Sequence, residues 1–454
     1  MNKKSVLGID LGTSAVKLLQ RFEDGTTVKE KEYYETITPK GWWDAIAKAM
    51  CRMELGSVQA IGLSSQVGTY IIDNDVVISW NDPIGAKELE ELKAMYTQEE
   101  FCEEISMPHP NIISYPLPRL MFIKKNSPTF YSVCQPKDFI CEKLTGRCVT
   151  DPYSWRGLAN LNTKMYSKKF LEAVGIAEAV LPQMVDYTDV AGYTLSQVIS
   201  DCTLKEGVPV YVGLNDYYAS LLGMGIWNSG DMFDITGTSE HLGVLEDTVN
   251  IETKLVSGPY IRHHVHYGVT GSSGPSLNFG LQFSENGEMD IEEMLSHNPP
   301  IFLPYLKGER APIWDENAKG VYFGIGEGCS KEDMAYAVLE GVAFSLYHIY
   351  EEMGEPNASE IRVAGGAAGN RTLNQLKAEL LQMPVRILKE SDTSALGACM
   401  VAMSGENWHQ DVEYCETIYP TGRCVEILKQ RFEIYKELYP ALEKQFKQLG
   451  GNKS

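Results

Sequence analysis

The chain has 454 residues, a formal net charge of −21 and an ordinary globular composition, 44% hydrophobic and 22% charged. That length predicts two or three domains, each with its own core. The charge argues strongly against a nucleic-acid partner, whose phosphates need a basic face. No apolar run approaches the ~20 residues a membrane span needs. Met1-Asn2-Lys3-Lys4 leads straight into a strand pattern, so no secretory leader is expected. The ten cysteines hold no CxxC pair, which fits reduced thiols in a cytoplasmic protein.

Val6 to Lys17 reads VLGIDLGTSAVK. Val6, Leu7 and Ile9 predict a buried strand, ended by Asp10. Gly12-Thr13-Ser14 then turns the chain into a second strand, Ala15 to Leu19. The glycine lets backbone N–H groups face a phosphate, and the two hydroxyls add donors. Lys17 is a candidate positive charge. Asp10 stands where a metal ion is held, directly or through water. A plain β-hairpin with a polar turn is the alternative.

Gly41 to Met53 carries a helical stripe. Val58 to Ser64 reads as a strand opening into the polar turn Ser65-Gln66-Val67-Gly68-Thr69. Ile71-Ile72 and Val76 to Trp80 predict a hairpin, closed by Trp80-Asn81-Asp82-Pro83. Polar groups just after strand ends are where substrate sites sit. Gln66, Thr69, Trp80 and Asp82 are therefore candidates, with a core role for Trp80 weighing equally. Ala86 to Met95 and Leu120 to Lys125 read as helices, joined by a loop containing Pro108, Pro110, Pro116 and Pro118. Gln135 to Asp138 precedes a helix ending near Gly146. Asp151 to Gly157, DPYSWRG, is a loop rich in ligand-type side chains. Val208 to Gly213 is a strong strand, and Asp216 sits between it and the next helix. Its carboxylate is either a helix N-cap or a general base.

A domain boundary is expected between Gly223 and Asp231. Beyond it, DMFDITGTSE at 231–240 repeats the opening pattern, with Asp234 before Gly237-Thr238-Ser239. Two such turns predict an internal duplication, each half presenting one turn to a shared cleft that takes a nucleotide triphosphate with Mg2+. The single-loop GxxxxGK[ST] motif is absent from the sequence. His264 and His266 share a strand face, but no third ligand is visible and a non-metal role is favoured. Gly271 to Gly274 is a turn before an apolar helix. Ser330 to Asp333 is a capping box opening a helix with a core stripe. Ile361 to Ala364 reads as a strand running into Gly365-Gly366-Ala367-Ala368-Gly369-Asn370 and a helix over 372–383. A glycine-rich turn opening a helix suits a nucleotide. Ser394 to Ser404 is a small-residue helix that can pack closely, and Val425 to Leu449 an amphipathic one.

Together these residues resemble the FGGY family of carbohydrate kinases, and most of all its xylulokinase branch. The resemblance covers nearly the whole chain. Its most specific stretch is Phe302-Leu303-Pro304-Tyr305-Leu306-Lys307-Gly308-Glu309-Arg310-Ala311-Pro312, continued by Ala318-Lys319-Gly320 and Phe323-Gly324. It implies an α/β protein of two ribonuclease-H-like, actin-type domains around a central cleft, a sugar-binding domain at 1–226 and a nucleotide-binding domain at 227–454. It implies ATP and Mg2+, a small sugar or sugar-like substrate, and neither nucleic acid nor membrane; a homodimer is left open. By motif match, Asp10 is the metal residue and Gly12, Thr13 and Ser14 the first phosphate turn. Gly237 and Thr238 form the second, Gly365, Gly366 and Asn370 match the adenosine segment, and Gly274 falls near a further nucleotide turn. Asp216 is implied as the catalytic base.

The departures lie on the sugar side. Val67-Gly68 follows Gln66 where xylulokinases have Met-His. Pro83-Ile84-Gly85 follows Asp82 where they have an arginine, and Tyr217 follows Asp216 where they have asparagine. Trp155 and Tyr217 are expected to refill the lost volume and Arg156 to supply the lost donors, with mere packing and surface pairing of Trp155 and Arg156 weighing equally, so the expected sugar pocket comprises Gln66, Thr69, Trp80, Asp82, Trp155, Arg156, Asp216 and Tyr217. An arginine also suits a carboxylate or phosphate. The expected reaction transfers the γ-phosphate of ATP to a hydroxyl of a ketopentose such as xylulose, with a sugar acid such as gluconate, or a polyol, as competitor. An actin-like ATPase and a metabolite sensor without turnover are the alternatives. Asp216 and the Gly308-Glu309-Arg310 turn count against the ATPase.

Overall fold

The computed structural model describes residues 3–110, 112–196, 202–250, 253–284, 288–406 and 412–450. The opening apolar run becomes strand β1 (Ser5–Leu11), buried along its whole length. It continues as an antiparallel meander through β2 (Ala15–Phe22) and β3 (Thr27–Tyr33). Strand β4 (Val58–Ser65) lies parallel to β1, and beyond it come β5 (Val190–Tyr193) and β6 (Pro209–Asn215). The sheet order is β5-β6-β4-β1-β2-β3.

The second sheet repeats this plan. Its strands are β7 (Met232–Thr236), β8 (Glu240–Glu246), β9 (Val256–Tyr260), β10 (His263–Val269), β11 (Ile361–Gly365), β12 (Val385–Leu388) and β13 (Tyr414–Ile418). Their order is β9-β10-β8-β7-β11-β12-β13. From β13 inward the pairings run antiparallel, parallel, parallel, antiparallel, antiparallel. From β5 inward the first sheet gives the same series. The duplication expected from the two Gly-Thr-Ser turns is therefore present in topology.

By contacts the chain divides into two compact units, 1–225 with 258–262 and 392–412, and 226–257 with 263–391 and 413–454. Two short stretches from the later sequence thus count with the first unit. Among the described residues no helix is long and apolar enough to cross a membrane.

Side-chain alternation on β1 sorts the first core. Leu7, Ile9 and Leu11 face α1 (Pro39–Cys51) and α2 (Pro136–Thr145), packing with Trp42, Ile46, Met50 and Ile140. Val6 faces the other way, towards Ala395, Leu396 and Cys399 of a late helix. Six further helices after α2 matter below, in chain order α3 (Asp216–Gly223), α4 (Gly274–Gly280), α5 (Lys331–Glu352), α6 (Arg371–Leu381), α7 (Thr393–Glu406) and α8 (Val425–Gly450). The late helix is α7, and its small residues let backbone meet backbone. A Cβ on Gly62 would stand 1.9 Å from the Ala398 carbonyl oxygen, and one on Gly397 1.8 Å from that of Ala219 in α3. The second core packs Leu242, Val363, Leu376, Tyr336, Phe344 and Tyr435 from β8, β11, α6, α5 and α8. Within it Arg431 pairs with Glu340 at 2.6 Å.

The sequence reading placed Pro116 and Pro118 in a loop, but both lie in the first turn of a helix, Pro116–Asn126. Proline has no N–H to lose there and its fixed φ suits helix entry. The short helix Gln98–Ile105 was also missed; its capping box, Thr97 with Glu100, was the available signal.

Because the α7 contact leaves no room for a methyl group, Gly397→Ala is expected to destabilise the protein by about 2–3 kcal/mol, the scale of overpacking a close contact. Urea unfolding of the full chain measures it, and an unchanged midpoint would disprove the close approach.

Candidate active site

The face of β1 that carries Val6 also carries Asp10, two pleats further on. Asp10 is 3% exposed. Ser64 Oγ donates to its Oδ1 at 2.9 Å, and Ser394 Oγ of α7 donates to its Oδ2 at 2.5 Å. Burial is the main reason its carboxyl is held above the usual range; the two serines and Lys17 oppose that rise. Lys17, directly across the hairpin from Asp10, pairs with Asp392 at 2.8 Å. The turn Gly12-Thr13-Ser14 caps this hairpin, with Thr13 and Ser14 exposed. Tyr34 Oη donates to the Gly12 carbonyl at 2.6 Å and fixes the turn.

Strand β6 ends beside β4, with Asn215 registered against Ser65. Asn215, not Asp216, caps α3, accepting from the Tyr218 N–H at 3.1 Å. That leaves the Asp216 carboxylate for another task. It accepts from the Tyr217 N–H at 2.8 Å and also from the Val67 N–H. Its carboxyl is pushed up to about 7, chiefly by loss of water and then by the charge of Asp10; the two N–H groups and the Arg156 cation oppose that rise.

Arg156 is 8% exposed. Its guanidinium lies 4.8 Å from the ring of Tyr218, 5.5 Å from Tyr115 and 6.0 Å from Tyr217. This is a buried cation in an aromatic box beside the candidate base, not a surface arginine. The loop that carries it is tied down at Asp151, which accepts from the N–H groups of Tyr153 and Ser154, both at 2.9 Å, and pairs with buried Lys137 at 3.2 Å.

Gln66 adjoins Val67, is 2% exposed, and its Oε1 has no hydrogen-bond partner among the described residues. A buried acceptor with nothing to accept is costly unless a ligand supplies the donor. Trp80 is 40% exposed, and its Nε1 donates to Thr13 Oγ1 at 3.2 Å, so the loop at 79–82 touches the Gly12-Thr13-Ser14 turn. Thr69 and Asp82 do structural work. Thr69 Oγ1 accepts from the Trp80 N–H, and Asp82 Oδ2 from the Ser79 N–H. Trp155 is fully buried between Tyr70 and Tyr166, with Nε1 directed at Asp138 Oδ2, 3.4 Å away. It fills core volume, while its neighbour Arg156 lies against Tyr218 and lowers the Asp216 carboxyl by its charge.

In the second unit the structure gathers the expected nucleotide turns at the ends of β7 and β11. The Gly274 N–H donates to the Gly237 carbonyl at 3.0 Å and the Ser273 N–H to that of Thr238 at 3.1 Å. The Gly366 N–H donates to the Thr236 carbonyl at 2.9 Å. Asn370 caps α6 through the Leu373 N–H. Asp234, the apparent counterpart of Asp10, stands elsewhere. Leu11 is paired with Val16 where Thr236 is paired with Glu240, so Asp10 corresponds to Ile235 and Asp234 to Ile9. One residue of offset turns a side chain to the opposite face. Asp234 is accordingly buried, 2.6 Å from the Nζ of Lys377.

Sequence reasoning missed Tyr115, Tyr218, Ser64 and Ser394 as partners of the site, and gave Glu309 and Arg310 no role in it. Glu309 Oε1 accepts from the N–H groups of Gly271, at 2.5 Å, and Arg310, and its Oε2 from Ser345 Oγ. Exposed Arg310 reaches towards Ser239 Oγ at 3.5 Å. Position within GERAP was the only signal for either. Among the described residues no group of three His, Cys, Asp or Glu is placed to hold a metal. A magnesium ion still fits at Asp10, because Mg2+ keeps several waters and binds through one or two carboxylates plus phosphate oxygens.

Comparison with known proteins bears on the family. The profile of the FGGY family of carbohydrate kinases, N-terminal domain, matches residues 5–223, and that of the C-terminal domain matches 233–406. The chain is 27% identical to the xylulose kinase of Bacillus subtilis over 96% of this chain and 97% of that one. It is 26% identical to the glycerol kinase of Thermococcus kodakarensis over 96% and 95%. In fold it is similar to a gluconate kinase from Lactobacillus acidophilus, with TM-score 0.85 and 23% identity over 99% of this chain and all of that one. A ligand-bound xylulose kinase from the same organism gives 0.84 and 23% over 98% and 100%. These matches span both units, each with its ribonuclease-H-like sheet, and the chain belongs to the FGGY family of carbohydrate kinases.

Proposed function

We propose that this kinase transfers the γ-phosphate of ATP to a hydroxyl of a ketopentose, xylulose, with Asp216 as general base. The observation that carries the reading is the Asp216 carboxyl, freed from capping by Asn215 and tuned to about 7. A base with that value is ionised often enough at neutral pH and still holds a proton well. Asp216 takes the proton as the sugar oxygen attacks in line. The Gly12-Thr13-Ser14 and Gly237-Thr238 turns direct N–H and hydroxyl donors at phosphate oxygens. Gly274, Gly365, Gly366 and Asn370 take the rest of the nucleotide. Asp10 would hold Mg2+, directly or through water, and the ion would neutralise phosphate charge. Gln66 Oε1 accepts a sugar hydroxyl, and Trp80 covers the substrate above Thr13. Xylulose is supported by the names of the first relatives, xylulose kinases from B. subtilis and Staphylococcus xylosus. The ten cysteines form no disulfide, which supports a cytoplasmic setting.

A sugar acid is the second reading, favoured by Arg156. A buried guanidinium in a tyrosine box, beside the base, is an apt partner for a substrate carboxylate.

Three outcomes are expected. Asp216→Asn lowers kcat by ~10²–10⁴ with ATP affinity kept; retention of a third of the wild-type rate would remove Asp216 from the base role. In the native enzyme kcat/KM rises with pH through about 7, because only ionised Asp216 accepts the proton. A flat profile from pH 5.5 to 8.5, roughly a decade and a half either side of that value, would contradict it. Arg156→Ala costs ~1.5–3 kcal/mol in kcat/KM for the true sugar with KM for ATP unchanged. Run against xylulose and gluconate in parallel, with ADP release as readout, the same variant separates the two substrate readings.

A further inference from the structure

Beneath the second phosphate turn lies a charged cluster the mechanism does not use. Lys377 of α6 is 1% exposed and sends its Nζ to two carboxylates, Asp234 of β7 and Glu240 of β8. Both carboxylates are fully buried. The cluster does not stop there. Glu240 Oε2 accepts from Ser273 Oγ at 3.0 Å, and Ser273 is 1% exposed. Ser273 opens the turn whose backbone holds Thr238, and Gly274 after it holds Gly237. A chain of polar contacts thus runs from α6, through Lys377 and Glu240, to both turns.

The geometry of those turns is tight. A Cβ on Gly274 would stand 2.7 Å from the Gly237 oxygen. A shift of either turn therefore moves the other. The cluster is also electrically economical. Two carboxylates share one ammonium, and burial together with Glu240 raises the Asp234 carboxyl well above the usual range. That rise favours the protonated form of Asp234, which lessens the negative charge beneath a turn read as meeting phosphates.

We propose that Lys377 is a positioning residue for the nucleotide: through Glu240 and Ser273 it fixes the 237–239 and 271–274 turns in the arrangement that takes the phosphates. The proposal rests on the nucleotide reading of those turns, and its test separates the two. Lys377→Met strands two buried carboxylates and endangers folding, so Ser273→Ala, which removes one hydroxyl, is the primary variant. By calorimetry on the full chain, its affinity for ADP is expected to fall about three- to tenfold, the scale of one lost hydrogen bond. KM for ATP rises in parallel, while KM for sugar stays at its wild-type value. Lys377→Met, where it folds, loses at least as much ADP affinity. Thr238→Val is the control for the turn itself. Weaker ADP binding in Thr238→Val but not in Ser273→Ala overturns the proposal and leaves the nucleotide reading standing. Unchanged ADP binding in both overturns that reading, and the proposal with it. A lower Tm in Ser273→Ala with unchanged ADP binding assigns the cluster to folding alone and also overturns the proposal.

Discussion

The first unit depends on one close contact, the backbone of α7 laid against β4 and α3 at glycines. At Gly62 and Gly397 a single methyl group would collide with a carbonyl oxygen. Such contact is open only to residues without side chains at the crossing points. Its reward is reach. A helix that close delivers Ser394 to the carboxylate of Asp10, across nearly the whole length of the sequence. The same face of the sheet, fixed by alternation along β1, carries Val6, Gly8 and Asp10 towards α7. The placement of Asp10 is therefore a consequence of packing and not a separate invention.

Much of this was legible in the sequence for a definite reason. The strands and long helices carry uninterrupted apolar patterns, and the small-residue run Ser394 to Ser404 announced a tight helix. The two Gly-Thr-Ser turns announced a duplication, and the sheets repeat one order of pairings. What failed was finer. Asp234 looked like a second Asp10, but the pleat has a period of two and the offset is one residue. Motif spacing alone does not carry that parity, which is set by strand register. Trp155 and Arg156 are neighbours with opposite fates, one packed between Tyr70 and Tyr166 and the other turned to Tyr218 and Asp216. Composition cannot separate them, because the choice is made by the turn at Asp151 and its N–H donors.

The candidate base shows how local structure outweighs residue type. An aspartate at a strand-to-helix junction is ordinarily a cap. Here Asn215, one residue earlier, takes that role. Asp216 is left with two N–H donors, which favour its charged form, against burial and the charge of Asp10, which disfavour it. The latter win and the group settles near neutrality, where a proton acceptor is most useful. Arg156, held in the tyrosine box, pulls in the opposite direction by its positive charge.

Duplication followed by divergence accounts for the division of labour between the two hairpins. The first turns its aspartate to the α7 face, where it stays a lone carboxylate held by hydroxyls. The second turns its aspartate to the core, where it lies against Lys377 and burial raises its carboxyl. The chain's net charge of −21 makes that placement consequential. A polyphosphate approaching so acidic a protein is favoured only where nearby negative charge is neutralised. Around the second turn the structure does this twice. Burial pushes the Glu309 carboxyl up to about 7, against the hydrogen bonds it accepts from Gly271, Arg310 and Ser345. Asp234 and Glu240 share the ammonium of Lys377. The exposed Arg310 side chain, reaching towards Ser239 Oγ, adds a positive charge beside that turn.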